Sequence, residues 1–210
     1  IALITTISAV SATISDSFTS MGAGTMTLSA PGSDLKAGLS ADDLETLTAL
    51  EHVEGVSPTV TLNVTAAQSN AYESSVSVGG RNAYYFTAND GLIARGRAIT
   101  PLDVNQSSRV CLISSDLVET FFYGADPIGE TLYLSGRSFT DDGDSSISGM
   151  MSGSSDVLIP YTTALKMNGE SLVTNLTIYI DSAESSPLVE TELEPVLDAL
   201  FSYEDDTYTI

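Results

Sequence analysis

The first 22 residues carry apolar side chains at the spacing of an α-helix. Intervals of three or four residues place these side chains on one stripe, while serines and threonines occupy the opposite face. The stripe consists of Leu3, Ile7, Val10, Ile14 and Phe18. At about 1.5 Å per residue, a helix of this length extends roughly 30 Å, enough to hold a domain away from its attachment point. The pattern therefore predicts an amphipathic stem helix over residues 1–22.

Two further segments each predict strands that flank a helix. In residues 23–66, Met26 and Leu28 alternate with polar residues, and Ser40 with Asp43 forms a capping-box pattern before an apolar helical repeat. Residues 156–210 contain strand patterns at 157–159 and 176–180, helical patterns at 162–167 and 186–200, and a closing edge strand at 206–210. This order predicts an α+β fold with two βαβ-type units.

The middle of the chain, residues 67–155, predicts a mixed α/β lobe inserted between those units. A helix over residues 116–123 separates an apolar strand around Cys111 from a strand around Leu132 and Leu134. Residues 135–155 consist mainly of glycine, serine and aspartate. Such a composition offers few apolar contacts, so we expect a mobile acidic loop there.

The charge of the chain limits its partners. There are 28 acidic residues against 7 lysines and arginines, a net charge of -21. This charge repels phosphate backbones and anionic headgroups, so we expect neither nucleic acid nor a bilayer surface as a partner. The longest unbroken apolar run near either end is Ile1–Ile4, far below the roughly 20 residues of a membrane helix. We therefore expect the chain to be a piece of a longer protein that reaches a membrane only through flanking helices.

The residue types needed for chemistry are scarce. His52 is the only histidine and Cys111 the only cysteine, so neither a nucleophile with its base nor a zinc site has enough candidates. We expect His52 to lie in the last turn of the helix that follows Ser40 and to be structural. We expect Cys111 to be a buried, unpaired thiol. The run Asp141-Asp142-Gly143-Asp144 lacks the alternating ligands and terminal glutamate of an EF-hand loop. No catalytic residue, metal or cofactor is therefore predicted, and the chain is expected not to be an enzyme.

Several short segments, taken in order, carry a family resemblance. They are Gly96-Arg97-Ala98-Ile99-Thr100, Val110-Cys111-Leu112-Ile113, Asp126-Pro127-Ile128-Gly129, Val157-Leu158-Ile159-Pro160 and Leu176-Thr177-Ile178-Tyr179-Ile180. The set resembles the extracytoplasmic core domain of MacB-type and FtsX-like ABC transporter permeases. The resemblance implies structural roles for Gly96, Arg97, Asp126, Pro127, Gly129 and Pro160. One departure follows Phe139, where the family continues into an apolar strand and this chain into its acidic segment.

The resemblance implies a fold and a function. Residues 23–66 and 156–210 would form a porter-like lobe, with residues 67–155 inserted as a second lobe. The domain would lie on the extracytoplasmic face of a bacterial membrane, between the first two transmembrane helices of an efflux permease. Its implied partners are an ATP-hydrolysing ABC subunit, a second permease copy or homologue, and an adaptor protein. It would bind substrate or adaptor and relay ATP-driven motion, an action called mechanotransmission.

Two other classes of function stay open at this point. A surface adhesin or fibre subunit would share the acidity and the strand content, and an extracellular hydrolase would use some of the many carboxylates. Neither class has a local sequence motif here.

Overall fold

The computed structural model describes residues 24–33, 35–89, 91–145, 155–202 and 207–210, with only the backbone of residues 143–145. The predicted stem helix, including Leu3, Ile7, Val10, Ile14 and Phe18, lies outside the described residues. In the described part of the chain, no helix combines the length and the hydropathy needed to cross a membrane.

The chain contains ten strands and six α-helices within the described ranges. In chain order they are β1 (Gly24–Ser29), α1 (Ala41–Thr48), β2 (Val53–Pro58), β3 (Val60–Gln68), β4 (Ala71–Arg81), α2 (Ala83–Ala88), β5 (Ile93–Gly96), α3 (Pro101–Gln106), β6 (Val110–Ser114), α4 (Ser115–Phe122), β7 (Thr131–Leu134), β8 (Arg137–Ser145), β9 (Val157–Pro160), α5 (Tyr161–Asn168), β10 (Asn175–Ile180) and α6 (Ser186–Leu200), with a 3₁₀ turn at Ala183–Ser185 before α6. The predicted α+β class is confirmed.

These elements form two compact units. The first contains Ile1–Val56 and Asn175–Ile210, and the second contains Ser57–Thr174. The predicted boundaries of 66/67 and 155/156 for the two lobes stay a prediction. Strands β3 and β9 belong to the second unit because both pair with β4.

The first unit contains a three-stranded sheet in the order β1-β10-β2. Strand β1 is antiparallel to β10 along its whole length, from Gly24 opposite Ile180 to Ser29 opposite Asn175. Apolar side chains of the sheet and of helices α1 and α6 form its core, including Leu28, Leu44, Leu47, Ile178, Ile180, Val189, Leu193 and Leu197. In the described residues 207–210 of the predicted closing strand, one bridge joins Thr209 to Ser29.

Helix α1 begins where the sequence predicts. The Ser40 hydroxyl accepts a hydrogen bond from the Asp43 amide, and the Asp43 carboxylate accepts one from the Ser40 amide. This capping box satisfies two donors that a helix N-terminus otherwise leaves unpaired.

The second unit is built on seven strands in the order β5-β8-β6-β9-β4-β3-β7. Strand β7 also pairs with β8, so six of these strands form a closed ring of pairings. Its core contains Val76, Val78, Leu112, Ile113, Leu132, Leu134, Phe139, Val157, Leu158 and Ile159. Helix α5 packs on β4 and β3.

Strand β8 corrects the prediction of a mobile loop over residues 135–155. Arg137–Ser145 is a strand, with Phe139 and Asp141 buried on alternate positions, whereas residues 146–154 lie outside the described ranges. The strand pairs with β7 and β5 along one edge and with β6 along the other. Its backbone hydrogen bonds do not depend on side-chain type, so pairing on both edges overrides the low strand propensity of glycine, serine and aspartate.

Candidate functional site: a basic cleft on the second unit

Arg97 connects three elements of the second unit. Its guanidinium donates to Asp103 of helix α3, with Nη1 2.7 Å from Oδ2, and also to the Asp142 carboxylate of β8. The Arg97 amide donates to the Asp142 carbonyl at 2.9 Å. Gly96 precedes it with a φ of +84°, a left-handed conformation that glycine adopts without strain. Arg97 thus holds the end of β5 against α3 and β8.

The carboxylate of Asp103 stays ionised in this cluster. Burial of the carboxyl disfavours its charge, but hydrogen bonds from Arg97 and Thr100 prevail and lower the pKa of Asp103 to about 2. The Thr100 amide and hydroxyl donate to Oδ2 at 2.9 and 2.6 Å. Because Asp103 also caps α3, the geometry agrees with the structural role that we predict for Arg97.

The other motif residues shape the backbone. Asp126 accepts from the Ile128 amide at 3.2 Å, in the turn that contains Pro127. Gly129 has a φ of +86°, and its amide donates to the Asp141 carbonyl at 2.8 Å. Pro160 ends β9 and precedes α5. Gly96, Arg97 and Gly129 thus all lie beside β8, whereas Pro160 lies at the end of β9. The structural roles of these motif residues stay predictions.

Asp141 and Asp142 lie on opposite faces of β8. Successive side chains of a strand point to opposite faces, so Asp141 is buried while Asp142 contacts Arg97. Among the described residues, no group of three or more histidine, cysteine or acidic side chains is arranged to hold a metal ion.

Cys111 is fully buried, as predicted. Its thiol lies 3.7 Å from the Thr140 carbonyl. Burial, reinforced by Asp141 and Asp142, raises the pKa of Cys111 well above its usual value. The thiol is therefore held in its unreactive protonated form.

His52 lies outside helix α1, contrary to the expected position in its last turn. It follows that helix with a φ of +64°, and its Nδ1 lies 2.8 Å from the Asp181 carboxylate. The hydrogen bond with Asp181 raises the pKa of His52 and lowers the pKa of Asp181. The pairing agrees with a structural role.

This pair predicts a measurable titration. In an NMR titration of the single histidine, we expect the pKa of His52 to lie above 6.5. Its contribution to stability is then complete below pH 6.5 and is lost as the pH rises through the raised pKa. Asp181→Asn should return the pKa towards 6.5, whereas Glu51→Gln, which removes only a weaker charge, should change it little. An unchanged pKa in Asp181→Asn would contradict the pairing.

Two adjoining clefts lie on the second unit and share Arg137 and Met167. The first, of about 370 Å³, is bounded by Thr61, Leu62, Asn63, Val64, Ser135 and Asn168 in addition to the shared pair. The second, of about 280 Å³, is bounded by Ser107, Arg109, Phe139, Thr163 and Lys166 in addition to the shared pair. We call the second one the basic cleft.

The basic cleft concentrates positive charge in an acidic chain. Arg109, Arg137 and Lys166 are three of the seven basic residues of the protein, and no acidic side chain is among the described residues that line the cleft. All three are exposed, and Lys166 Nζ lies 2.7 Å from Ser107 Oγ. Sequence reasoning missed this site because the three residues are far apart along the chain. The only hint in the sequence was that lysine and arginine are scarce, so that each basic residue stands out.

The sequence matches the family model of the MacB-like periplasmic core domain over residues 1–196. This chain belongs to that family. MacB-like periplasmic core domains lie on the extracytoplasmic side of the membrane, and they are not known as catalytic domains.

Relatives of this domain include whole transport proteins. The macrolide export ATP-binding/permease protein MacB of Aggregatibacter actinomycetemcomitans is 26% identical over 171 residues, which cover 80% of this chain and 27% of the relative. MacB of Neisseria gonorrhoeae (strain ATCC 700825 / FA 1090) is 27% identical over 203 residues, which cover 91% of this chain and 31% of the relative. The chain thus spans less than a third of the length of these relatives.

Solved structures of transporter domains share the fold. The extracellular domain of the noncanonic ABC-type transporter YknZ from Gram-positive bacteria matches with a TM-score of 0.75 at 19% identity, covering 89% of this chain and 98% of that one. The periplasmic region of MacB from Actinobacillus actinomycetemcomitans matches with a TM-score of 0.74 at 24% identity, covering 88% and 86%. The resemblance stated from the sequence is therefore confirmed.

Proposed function

We propose that this domain works in an ABC transporter permease, where it binds a substrate or an adaptor protein and relays ATP-driven motion across the membrane. The family match over residues 1–196 is the observation that supports this proposal. An ABC ATPase supplies the energy, and a second permease copy or homologue completes the machine. The alternatives of an adhesin, a fibre subunit or a hydrolase have no comparable support.

The first unit offers a direct path for motion that arrives through the stem. The predicted stem leads into β1, which pairs with β10 at six successive positions. A displacement of β1 along its axis would have to break this ladder or move β10 with it. Since β10 leads into the 3₁₀ turn and α6, the helical layer would follow.

Close packing at Gly24 supports this path. A Cβ at Gly24 would lie 2.6 Å from Ile180 Cγ1 and 3.1 Å from Ala183 Cα. The start of β1 is therefore in direct contact with β10 and with the 3₁₀ turn. Closely packed elements move together because packed interiors have low compressibility.

The relay can be tested by changing the stem in the full-length protein. Inserting two glycines after Val10 is expected to abolish transport. Each glycine costs about 1 kcal/mol of helix stability, and two added residues rotate the stripe by roughly 200°. Growth in the presence of a macrolide is the first readout, because the relatives are named as macrolide exporters.

A matched insertion separates the effect of rotating the apolar stripe from the effect of lengthening the helix. Seven helix-forming residues at the same site restore the stripe to within about 20° of its original direction. We expect this variant to keep transport. If the two-glycine variant transports normally at wild-type membrane levels, mechanical relay is wrong and a tethered binding domain is the better description.

A further inference from the structure

We propose that the second unit binds an extended peptide segment bearing one or two carboxylates, which pairs with the open edge of β3 and places a carboxylate in the basic cleft. We call the two adjoining clefts together the peptide groove. This proposal adds a partner of defined chemistry to the proposed function. It does not depend on the relay of motion, and its test uses the isolated chain.

The first observation is an edge of β3 that no described strand covers. Along one edge, β3 pairs with β4 from Val60 to Gln68. Along the other edge, it pairs with β7 only at Ala66 and Ala67. In the described part of the chain, Thr61–Val64 thus has no strand on the edge opposite β4. All four of these residues line the first cleft.

The direction of the free backbone groups follows from one hydrogen bond. The Thr65 carbonyl accepts from the Ser135 amide at 2.8 Å, so the backbone groups of Thr65 point to the β7 side. Backbone hydrogen-bonding groups alternate between the two edges of a strand. The register between β3 and β4 shifts between Val64 and Ala66, but the extra residue lies on β4, so the alternation continues along β3. The groups of Asn63 and Thr61 therefore point to the same side as those of Thr65, into the first cleft. An added peptide strand would use these donors and acceptors, as in β-strand addition.

The second observation is the charge of the adjoining basic cleft. Arg109 and Arg137 have no ion pair with a described residue, and Lys166 contacts only the neutral Ser107 side chain by hydrogen bonding. Charge-assisted hydrogen bonds to a carboxylate are roughly twice as strong as neutral ones. Phe139 and Met167 also line this cleft and offer apolar contact to the rest of the peptide. A carboxylate-bearing side chain is the complementary ligand.

The two halves of the groove are continuous. Arg137 and Met167 border both clefts, so a ligand lying along Thr61–Val64 reaches the basic cleft without leaving the groove. Four residues of a strand span about 13 Å, so a segment of about six residues covers both parts. A small free anion would use the cations but leave the edge of β3 unused. The edge therefore favours a peptide over a small anion.

The net charge of -21 limits how many carboxylates a bound peptide can carry. It opposes long-range attraction of an acidic partner. At physiological ionic strength, however, charges farther away than about 8 Å are largely screened, so the three nearby cations dominate within the groove. This favours a segment with few carboxylates over a long acidic tract, which would also lie against the acidic surface outside the groove.

Selection from a random hexapeptide library displayed on phage provides the probe. With the 210-residue chain as target, we expect enrichment of peptides that carry one or two carboxylates among strand-forming residues. Arg137→Gln should weaken binding of an enriched peptide about tenfold or more, because it removes a charged hydrogen bond. Arg95→Gln, outside the groove, is the matched control and should leave binding unchanged. Enrichment without carboxylates, or binding unaffected by Arg137→Gln, would overturn the proposal.

Strand addition is tested on both partners. Asn63→Pro removes an amide that faces the groove, and proline is tolerated where a strand edge is unpaired. It should weaken binding about tenfold, whereas Asn63→Ala, which keeps the amide, should not. N-methylation of the enriched peptide at alternate residues leaves the protein intact, and only one of the two alternate sets should abolish binding. Equal effects of both sets, or binding of citrate or inorganic phosphate in place of peptides, would overturn the proposal.

Discussion

Replacing Gly80 with alanine is expected to destabilise the protein by about 3 kcal/mol, at the upper end of the usual cost of overpacking. A Cβ at this position would lie 2.7 Å from Ala164 Cβ, 2.9 Å from Tyr161 Cα and 3.0 Å from Val60 Cβ. Two of these atoms belong to α5, whose backbone would have to move away from β4. Urea unfolding at equilibrium measures the change in free energy.

Gly169 provides the matched control on the same helix. It follows α5 with a φ of +77°, and nothing lies within 4 Å of a Cβ placed there. Gly169→Ala should therefore lower the free energy of unfolding by only about 1 kcal/mol, the cost of placing alanine in the left-handed conformation. If Gly80→Ala costs no more than Gly169→Ala, then α5 does not approach β4 as closely as the structure shows.

Sequence patterns predicted the helices and strands whose formation depends on residues close together in the chain. Helix α1 begins at Ser40 because a serine and an aspartate three residues apart satisfy each other's backbone amides. Strand β10 follows the alternation of Leu176, Ile178 and Ile180, all of which are buried. The family resemblance gave the fold of the domain, which the comparisons confirm.

Features created by distant pairing could not be read from composition. The segment Arg137–Ser145 has few apolar residues, and it is a strand because β5, β6 and β7 supply its hydrogen bonds. Gly80, near the end of β4, marks the close approach of α5, which no local rule identifies.

The basic cleft is a further case of distant pairing. Arg109 precedes β6, Arg137 begins β8 and Lys166 lies in α5, so only the fold brings them to one surface. His52 is a similar case, because its hydrogen-bond partner Asp181 is 129 positions away along the chain. Both sites consist of single residues from separate segments, and such sites leave no motif.

Arg97→Ala is expected to destabilise the protein by about 2 kcal/mol at neutral pH, because it leaves the buried Asp103 carboxylate without its guanidinium partner. The pKa of Asp103 is about 2 in the folded protein, against an ordinary value of 3.8. A lowered pKa contributes stability that is complete above the unfolded value and is lost as the pH falls through the folded one. The difference between wild type and Arg97→Ala should therefore shrink between about pH 4 and pH 2.

Arg95→Ala, in β5 and two positions before Arg97, is the control for this prediction. Arg95 is as exposed as Arg97, with 46% of each side chain accessible, but its carboxylate partner Asp126 is 66% exposed and 3.9 Å away. Exposed pairs of this kind contribute about 0–1 kcal/mol. Denaturant unfolding of both variants at pH 7 and at low pH separates the two cases. Equal losses that do not vary with pH would mean that Arg97 acts through packing alone, and that Asp103 does not depend on it for its charge.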